Sequence, residues 1–591
     1  MIFSWNITGE AGFGITTIGL TMAKICARHG LHIWDYAEYP SLIRGGYTSF
    51  ELAISNTEVQ TLSTYINILV CLRQDGFDNN KSRLNQNSII IYDQDEVKID
   101  GDYIKLPIPF KQIRTKHKAY QVTTNVISMG VTMAILGWDL DSFNTLVNEQ
   151  FKSKGQEVID YNIILAKEGW ESANNFLIQN NDIKSKIENV LKQYEFIGNH
   201  PSNQGGNETS LIMTGNEAFS LASIIADCRA YFAYPMSPAS NVLSVLAGWA
   251  KTSGMLVRHV EDEIAAISEA LGSAYMGVRS SVGTSGGGFA LMVESLSYAG
   301  IAEIPLVIYI AQRPGPATGL PTWTGQGDLL FTVHAGHGEF PKIVLAPGDM
   351  QEMIELSVEA YNLATIYQMP VIVLTDRLLA ESHSTVSSQW LHMFQESSKI
   401  NNGKLVSKTD QNPYLRYRDS DDGISEYLLP GLQDGVHWQA NSYEHLENTH
   451  TTEDASEVVK QVNKRARKMV KYLETDYKGP KIFGSLEDTE IVFVSYGSNI
   501  GSIKQSMIEL QQVNKRTAYI HFTHLYPLLS KIICPLFEHK AQYVLVENSG
   551  TGQFGKLLRQ ECGISIDKSI LRYDGRPITV QQIVNSIITI K

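Results

Sequence analysis

At residues 231–238 the chain reads Tyr-Phe-Ala-Tyr-Pro-Met-Ser-Pro. The aromatic and apolar start predicts a short buried strand, and the two prolines predict that this strand ends in a turn. Ser237 suits the N-cap of a following helix, and Pro238 suits its first turn. A hydroxyl at the carboxyl end of a parallel strand also faces the crevice in which such sheets bind ligands. Ser237 is therefore a candidate for capping and for ligand binding.

Further motifs flank this turn in a fixed order: Leu211-Ile-Met-Thr-Gly215-Asn216-Glu217, Arg258-His-Val-Glu261-Asp262-Glu263, Gly283-Thr-Ser-Gly286-Gly287-Gly288 and Gln312-Arg313-Pro-Gly-Pro-Ala-Thr318-Gly-Leu-Pro-Thr322. The three acidic residues open a helix of small residues, where the helix dipole favours negative charge. The glycines predict a loop that approaches a ligand closely, although a helix-capping turn explains them equally well. Arg313 follows a predicted strand, and its guanidinium suits a carboxylate ligand or an ordinary ion pair.

Length and composition limit the class of protein. The 591 residues exceed one hydrophobic core, so three or four domains are expected. The net charge of −13 argues against a nucleic-acid partner. No apolar run is long enough to span a membrane, and the start MIFSWNITGE does not resemble a signal peptide. The five scattered cysteines match neither a zinc nor an iron–sulfur spacing, so no metal site is predicted and a cytoplasmic location is expected.

Alternating strand and helix patterns predict an α/β protein with five segments. We expect an α/β domain, a polar linker, a second α/β domain, a polar loop-rich connection with limited core and a third α/β domain, at residues 1–190, 191–208, 209–383, 384–484 and 485–591. The first domain is predicted to have a mostly parallel sheet. The polar connection includes one predicted helix rich in Lys and Arg, Val458–Leu473.

The predicted strands are apolar runs bounded by turn residues. In the first domain they include Ile2–Thr8, His32–Tyr36, Ile66–Leu72 and Ser88–Tyr92. In the second domain they are Ser210–Met213, Ala230–Ala233, Leu306–Ile310, Lys342–Leu345 and Val371–Leu374. In the third domain they are Ile491–Ser495, Arg516–His521 and Tyr543–Glu547.

A glycine turn follows the first strand, in the segment Gly9-Glu-Ala-Gly12-Phe-Gly14. A strand–glycine–helix junction suits a phosphate group, because helix N-terminal amides lie open there. The spacing is GxxGxG and not the GxGxxG of dinucleotide folds, so a tight turn that packs helix on sheet is an equally good interpretation. A second segment, Tyr39-Pro-Ser-Leu-Ile-Arg44-Gly45-Gly46, combines a cation with accessible amides, as an anionic group requires. The alternative for Arg44 is a surface salt bridge.

Together and in this order, the motifs resemble the α subunits of the 2-oxoacid:ferredoxin (acceptor) oxidoreductases. Residues 1–190 resemble the γ domain of that family, fused ahead of α, and residues 485–591 resemble its transketolase C-terminal-like domain. The resemblance implies that residues 209–383 form a thiamine-diphosphate-binding-like domain of the pyrimidine type. It also implies coenzyme A-dependent oxidative decarboxylation of a 2-oxoacid, with electrons passed to ferredoxin.

The resemblance assigns roles to individual residues. It implies that Glu263, with Glu261 in reserve, contacts N1′ of the aminopyrimidine, and that Arg313 binds the 2-oxoacid carboxylate. Ser237 stands where the family usually has a Thr that contacts the 2-oxoacid. The remaining expected binding residues are Tyr234, Pro235, Thr284 and Ser285 near substrate or cofactor, and Gly9, Gly12, Gly14, Arg44, Gly45 and Gly46 near coenzyme A. Trp323 departs from the family, which often has a basic residue there.

Thiamine enzymes also need a Gly-Asp-Gly motif with a downstream Asn for Mg²⁺ and the diphosphate, and no Gly-Asp-Gly occurs in this chain. Ligands for an iron–sulfur cluster are equally missing. Both features predict a β subunit that carries thiamine diphosphate, Mg²⁺ and a [4Fe–4S] cluster, with the active site at the α–β interface. Ferredoxin is the expected acceptor, and αβ or (αβ)₂ the expected assembly.

Three alternatives remain at this stage. The first is a dinucleotide-dependent dehydrogenase that uses the first glycine turn. The second is a non-catalytic scaffold, and the third is an indolepyruvate-type subunit of the same family. The fused γ–α order favours 2-oxoglutarate, with pyruvate as the next candidate. The residues themselves do not fix the substrate.

Overall fold

The computed structural model describes residues 1–41, 45–198 and 210–589 and is α/β throughout, as predicted. Its strands are β1 Phe3–Glu10, β2 His32–Glu38, β3 Tyr47–Ser55, β4 Ile68–Cys71, β5 Ile89–Tyr92, β6 Ile104–Pro107, β7 Ser210–Thr214, β8 Ala230–Ala233, β9 Leu256–His259, β10 Ser280–Thr284, β11 Leu306–Gln312, β12 Ile343–Leu345, β13 Pro370–Asp376, β14 His383–Ser387, β15 Leu405–Val406, β16 Tyr427–Leu428, β17 Lys481–Phe483, β18 Ile491–Tyr496, β19 Thr517–Phe522, β20 His524–Tyr526, β21 Gln542–Glu547 and β22 Lys568–Leu571. Its α-helices are α1 Ile15–Arg28, α2 Gln74–Asn80, α3 Phe110–Lys116, α4 Thr124–Leu136, α5 Asp141–Phe151, α6 Gln156–Gln179, α7 Asn181–Lys192, α8 Glu195–Gly198, α9 Gly215–Ile225, α10 Ser240–Ser253, α11 Glu263–Tyr275, α12 Gly286–Ile301, α13 Leu329–His334, α14 Met350–Tyr367, α15 Arg377–Glu381, α16 Ser388–Ser397, α17 Ala455–Thr475, α18 Ile500–Gln512, α19 Ser530–Ile533, α20 Gln553–Cys562 and α21 Val580–Ile588.

The chain divides into two compact units. The first unit consists of Met1–Met213, Ser382–His392 and Thr579–Gln581, and the second of Thr214–Glu381, Met393–Ile578 and Gln582–Lys591. Each unit therefore contains segments that are distant in sequence. The five predicted domain boundaries stay a prediction.

The sheet of the first unit has the strand order β6-β5-β4-β1-β3-β2-β14-β7. Strands β6, β5, β4 and β1 are parallel, whereas β3 is antiparallel to both β1 and β2. Strands β1, β2, β4, β5 and β6 therefore run in one direction and only β3 among β1–β6 opposes them, so the predicted sheet of the first domain is mostly parallel, with one antiparallel strand inserted. Strand β3 was not predicted, and residues 39–46 between β2 and β3 are too few for the crossover of about a dozen residues that a parallel pair needs.

Both faces of this sheet are covered along β4. Ile68 and Val70 enter one hydrophobic core, and the alternating residues Leu69 and Cys71 enter another. Because successive side chains of a strand point to opposite faces, helices or loops pack on both sides of the sheet here.

The second unit contains a sheet of order β20-β12-β13-β11-β10-β8-β9. All neighbouring strands from β12 to β9 are parallel, and β20 pairs antiparallel with β12. The predicted strand Ser210–Met213 exists as β7 but belongs to the sheet of the first unit, which corrects its assignment to the second domain. The short strands β9 and β10 were not predicted.

A second sheet in this unit has the order β17-β19-β18-β21-β22, and its strands β18, β19 and β21 confirm the three predicted strands. The two sheets share one hydrophobic core, because Ile308 and Val344 belong to the same buried cluster as Val494 and Phe522. The second unit therefore folds around both sheets together.

The predicted polar connection, residues 384–484, is better packed than its composition predicts. The Lys- and Arg-rich helix is confirmed as α17, but Lys464 and Lys468 on it are completely buried. Both lysines form ion pairs with the buried Glu303, and Arg416 is buried beside them. The expectation of limited core is wrong here, because charged residues face inwards where they find partners.

Candidate functional site

The site lies at the carboxyl ends of three parallel strands of the second unit. Strands β8, β10 and β11 end at Ala233, Thr284 and Gln312. Parallel strands place these ends at one edge of the sheet, where ligands bind in open α/β sheets. The motifs that start with Tyr234, Ser285 and Arg313 therefore begin at the same edge.

Side chains from other elements hold the turn after β8 in place by hydrogen bonds to its backbone carbonyls. The Asn216 side chain donates from Nδ2 to the carbonyl of Pro238 at 2.9 Å, and the hydroxyl of Tyr309 donates to Asn216 Oδ1 at 2.9 Å. Ala239, and not Ser237, is the N-cap of α10. The capping prediction for Ser237 is wrong because residues 236–239 form a further turn, closed by Ala239 N to the Met236 carbonyl at 2.9 Å, before the helix begins.

Arg313 contacts this turn directly. Its Nη1 donates to the carbonyl of Ser237 at 2.7 Å. Within the described ranges Arg313 has no carboxylate partner at 4.0 Å or less, so the ion-pair alternative is not realised. Burial lowers the pKa of the guanidinium, and the charge of Asp328 opposes this shift. The remaining N–H groups of Arg313 have no protein acceptor in the described part of the chain, which leaves them available for a ligand.

The three acidic residues before α11 have different environments. Asp262 is the N-cap of α11 and accepts a hydrogen bond from Ala265 N at 2.8 Å. Glu261 is exposed, whereas only 4% of Glu263 is exposed. No described residue forms a hydrogen bond or ion pair with the Glu263 carboxylate. Glu263 is therefore the buried, unpaired carboxyl group of the motif.

Glu263 lies against the glycine segment. A Cβ atom added at Gly288 would stand 2.8 Å from Glu263 Cγ and 2.9 Å from Oε1, and would overlap the Thr284 hydroxyl. Only a residue without a side chain fits there, so the backbone comes close to the carboxyl group. An unpaired carboxyl group beside such a cradle fits the N1′ edge of an aminopyrimidine.

The glycine segment is a strand–helix junction, which agrees with the helix-capping interpretation and not with an open loop. Thr284 ends β10, Ser285 is the N-cap of α12, and α12 begins at Gly286. Thr284 and Ser285 are completely buried, and Ser285 Oγ has no hydrogen-bond partner. The Gly288 amide points to Met236 Sδ at 3.2 Å. Gly288 thus lies between the turn after β8 and Glu263, which brings the predicted residues together.

Tyr234 and Pro235 lie at the outer side of the site. Tyr234 is 39% exposed, and its ring centroid lies 6.2 Å from that of His259. Pro235 is also exposed. Both residues are accessible to a ligand or to a second chain.

Two residues of this site were not selected from the sequence, Asn216 and Asp328. The Asp328 carboxylate occupies the position that a Cβ at Gly286 would need, at the N-terminus of α12. Burial raises the pKa of Asp328 to about 6, and the charge of Arg313 opposes the shift. No local motif marks Asp328 as a site residue, because its importance depends on contacts that form only in the folded chain.

The glycines predicted to bind coenzyme A lie in the first unit. Gly9 belongs to β1, and Gly14 is the N-cap of α1 in the left-handed conformation. Ala11 N approaches the carbonyl of Gly46 at 3.4 Å, so the two glycine segments are neighbours in this unit. Gly12 and Gly45 also have positive φ, as glycine allows. Arg44 lies outside the described residues.

The described residues contain no group of three His, Cys, Asp or Glu side chains arranged to hold a metal ion. In the same ranges, no helix has the length and apolarity that crossing a membrane requires.

Comparisons with known proteins agree with this architecture. Residues 221–464 match the family model described as "Pyruvate flavodoxin/ferredoxin oxidoreductase, thiamine diP-bdg", and residues 4–172 match "Pyruvate ferredoxin/flavodoxin oxidoreductase". The 2-oxoacid:ferredoxin oxidoreductase subunit alpha of Sulfolobus sp is 30% identical over 635 residues, with 100% of this chain and 97% of the relative covered. The 2-oxoglutarate synthase subunit KorA of Methanocaldococcus jannaschii is 29% identical and covers 59% of this chain and 91% of its own length.

A solved structure matches the whole fold. The 2-oxoglutarate:ferredoxin oxidoreductase from Magnetococcus marinus, with 2-oxoglutarate, coenzyme A and succinyl-CoA bound, has a TM-score of 0.88, 26% identity and 99% coverage of both chains. The fold and the site thus define an α/β oxidoreductase subunit with a thiamine-type domain. The chain belongs to the family of 2-oxoacid:ferredoxin oxidoreductase alpha subunits, which confirms the family predicted from the motifs.

Proposed function

We propose that this chain is the γ–α fused subunit of an enzyme that oxidatively decarboxylates a 2-oxoacid onto coenzyme A and passes the electrons to ferredoxin. The observation that carries the proposal is the convergence of Arg313, the Ser237 turn and the unpaired Glu263 around one sheet edge. The Gly288 amide lies 3.2 Å from Met236 of the turn that Arg313 contacts, and the position of a Cβ at Gly288 lies 2.8 Å from Glu263 Cγ.

Arg313 is proposed to bind the carboxylate of the 2-oxoacid. Its contact with the Ser237 carbonyl fixes the guanidinium at 2.7 Å, and its other N–H groups remain for two parallel hydrogen bonds to a carboxylate. The Ser237 hydroxyl lies on the same turn and is proposed to contact the substrate. Thr284 and Ser285 are proposed to line the site beneath them.

Glu263 is proposed to hold a proton at N1′ of the aminopyrimidine of thiamine diphosphate. When bound, thiamine diphosphate supplies the carbon nucleophile and the electron sink that decarboxylation of a 2-oxoacid requires. The carboxyl group is buried and unpaired, so a hydrogen bond to N1′ would satisfy it. Tyr234 and Pro235, which are exposed beside the turn, are proposed to border the cofactor.

A second, β subunit is proposed to carry thiamine diphosphate, Mg²⁺ and a [4Fe–4S] cluster, in an αβ or (αβ)₂ assembly. The name "subunit alpha" of the Sulfolobus relative supports a multi-subunit enzyme. The missing Gly-Asp-Gly motif supports placement of the diphosphate and metal on another chain.

Coenzyme A is proposed to contact the paired glycine segments of the first unit, Gly9 to Gly14 and Arg44 to Gly46. The α1 N-terminus and the glycine amides suit phosphate oxygens. The coenzyme A in the Magnetococcus structure supports this substrate. The favoured 2-oxoacid is 2-oxoglutarate, supported by the name of the Methanocaldococcus relative and by the 2-oxoglutarate in the same structure.

The test is anaerobic reduction of a viologen dye that depends on 2-oxoacid, coenzyme A and thiamine diphosphate. The chain alone and the chain co-expressed with its candidate β subunit are compared, with 2-oxoglutarate and pyruvate as substrates. We expect activity only when both subunits are present, and the highest activity with 2-oxoglutarate. Activity of the chain alone would refute the shared site, and an intact pair that is inactive with every 2-oxoacid would refute the function.

A matched pair of variants tests the role of Glu263. Glu263→Gln should lower turnover by about 100-fold or more, within the range of general acid–base contributions. Glu261→Gln makes the same chemical change two residues earlier on an exposed side chain and should leave turnover unchanged. Equal effects of the two substitutions would contradict the assignment of Glu263.

A further inference from the structure

Asp328 is an acidic side chain in a site that is built for an anion. The site contains the Arg313 guanidinium and the N-terminus of α12, a helix of 16 residues whose amides carry partial positive charge. The buried hydroxyl of Ser285, without a partner, lies at the same helix N-terminus. The Arg313 guanidinium and the N-terminus of α12 would therefore attract both a 2-oxoacid carboxylate and the Asp328 carboxylate.

The position of Asp328 is fixed by the backbone around it. Asp328 N donates to Gln312 Oε1 at 2.9 Å, and Gln553 Nε2 donates to the carbonyl of Gly327 at 2.6 Å. Leu330 N donates to Gln553 Oε1 at 2.8 Å. These contacts hold the segment so that the carboxylate reaches the place left open by Gly286.

The side chain of Asp328 nevertheless lacks a partner of its own. No described residue hydrogen-bonds to its carboxylate, and its distance to the Arg313 nitrogens exceeds the 4.0 Å of an ion pair. Asp328 is the N-cap residue of α13, but its side chain accepts no capping hydrogen bond. The backbone of Asp328 is thus hydrogen-bonded, whereas its carboxylate forms no hydrogen bond or ion pair with a described residue that would stabilise the fold.

We propose that Asp328 is the resident counter-ion of the 2-oxoacid site, a positioning residue whose carboxylate balances Arg313 and α12 in the substrate-free enzyme and opposes the carboxylate of the incoming substrate. This inference rests on the proposed function of Arg313. It implies that Asp328 weakens 2-oxoacid binding, so that its charge limits how tightly substrates and other small carboxylates occupy the site.

The charged and titratable groups around Asp328 determine the expected pH dependence. Arg313 follows the end of β11 and its charge acts on Asp328, and the charges of Asp328, Asp376 and Glu547 all act on Tyr496 of β18. Because the pKa of Asp328 is raised to about 6, the group is charged above that pH and neutral below it. A bound carboxylate raises this pKa further, so the substrate KM should rise as pH increases through 6.

The test uses Asp328→Asn in the complex with the β subunit. Loss of the charge should lower KM for the 2-oxoacid by about 10-fold at pH 8. This factor corresponds to a bound substrate carboxylate that raises the pKa of Asp328 by about one. The effect should vanish near pH 5, and the variant should show a flat profile where the wild type shows a rising KM. A purely structural role would instead raise KM or lower stability at every pH.

Glu509→Gln is the matched control. It removes another carboxyl group whose pKa is raised by burial, on α18 away from Arg313, and should leave the KM profile as in the wild type. An unchanged or higher KM in Asp328→Asn, or a wild-type KM independent of pH between 5 and 8, would overturn the inference while the proposed function stands. If Asp328→Asn fails to fold, the wild-type profile alone decides. Absence of any 2-oxoacid-dependent turnover in the wild-type pair would overturn both.

Discussion

Glu303 holds together a buried cluster of charges in the second unit, and its substitution should be strongly destabilising. Lys464 Nζ lies 2.7 and 2.8 Å from the two carboxylate oxygens, and Lys468 Nζ lies 2.5 Å from one of them. Arg416 Nη2 donates to the backbone carbonyl of Glu303 at 2.9 Å. All four side chains have no exposed surface. Glu303→Gln therefore leaves buried cations without their carboxylate.

The magnitude follows from this geometry. Removal of one partner from a buried ion pair costs about 3–5 kcal/mol. The net stability of a folded domain is only about 5–15 kcal/mol, so the second unit should unfold at clearly lower urea concentration. Replacement of Glu303, Lys464 and Lys468 together by Met or Leu should recover part of the loss, because neither lysine charge then remains unpaired, whereas the buried Arg416 still lacks a carboxylate.

The loss should depend on pH. Burial lowers the pKa of Lys464 to about 8 and that of Lys468 to about 7, although Glu303 opposes both shifts. In the unfolded chain both values are about 10.4, so the folded protein binds fewer protons between about pH 7 and 10 and gains stability as pH rises there. Because both pKa values lie below the unfolded value, a larger fraction of the two lysines is neutral at pH 9 than at pH 7, and Glu303→Gln should cost less at pH 9.

Urea unfolding followed by circular dichroism and tryptophan fluorescence at pH 7 and pH 9 measures both effects. Glu490→Gln, which breaks an exposed contact with Lys515 in the same unit, is the control and should leave the midpoint unchanged. A cost of less than about 1 kcal/mol for Glu303→Gln at pH 7, the value of a surface pair, would refute the reasoning.

Three further changes test other contacts. Glu352→Gln removes the buried partner of His521, 2.9 Å away, and of Lys481, 2.7 Å away, and should cost about 3–5 kcal/mol at pH 7 by urea unfolding. Burial opposes ionisation of Glu352, but its contacts with His521 and Lys481 lower the pKa of Glu352 to about 2. Its contribution is therefore complete above its unfolded pKa of about 4.3 and disappears as pH falls towards 2. Asn216→Ala leaves two buried hydrogen-bond partners unsatisfied, so it should cost about 1–3 kcal/mol and raise the 2-oxoacid KM, and an unchanged KM would contradict its role in holding the turn. Gly288→Ala places a methyl group against Glu263 and should lower turnover about 100-fold in the viologen assay, whereas Gly287→Ala, with no atom nearer than 3.8 Å, should be tolerated.

Strands with continuous apolar runs were predictable because their burial is a local property of the sequence. Strands β18, β19 and β21 lie where predicted, since each is bounded by turn residues and buried on both faces. The partner of a strand is not a local property. Strand β7 has an ordinary apolar pattern, but its place in the sheet depends on β14, more than 150 residues later.

The same distinction applies to the site. Glu263 and Arg313 could be proposed as candidates because the motifs that contain them resemble those of the family and lie at a helix start and at a strand end. Asn216 and Asp328 matter through contacts with Pro238 and Gly286, which become neighbours only after β8, β10 and β11 align. The capping role of Ser237 was wrong because Ser-Pro suits a helix start in general, whereas here an additional turn precedes the helix.

Strand β20 has a practical consequence for work with fragments of this protein. It lies more than 175 residues after β12 in sequence, yet it pairs with β12 at the edge of the parallel sheet. A fragment that stops before His524 would leave the hydrogen-bonding groups of β12 open at that edge, and unpaired edges recruit strands from other molecules. Expression of the thiamine-type domain by itself should therefore produce aggregates, and a soluble fragment of the second unit needs to extend through Tyr526 at least.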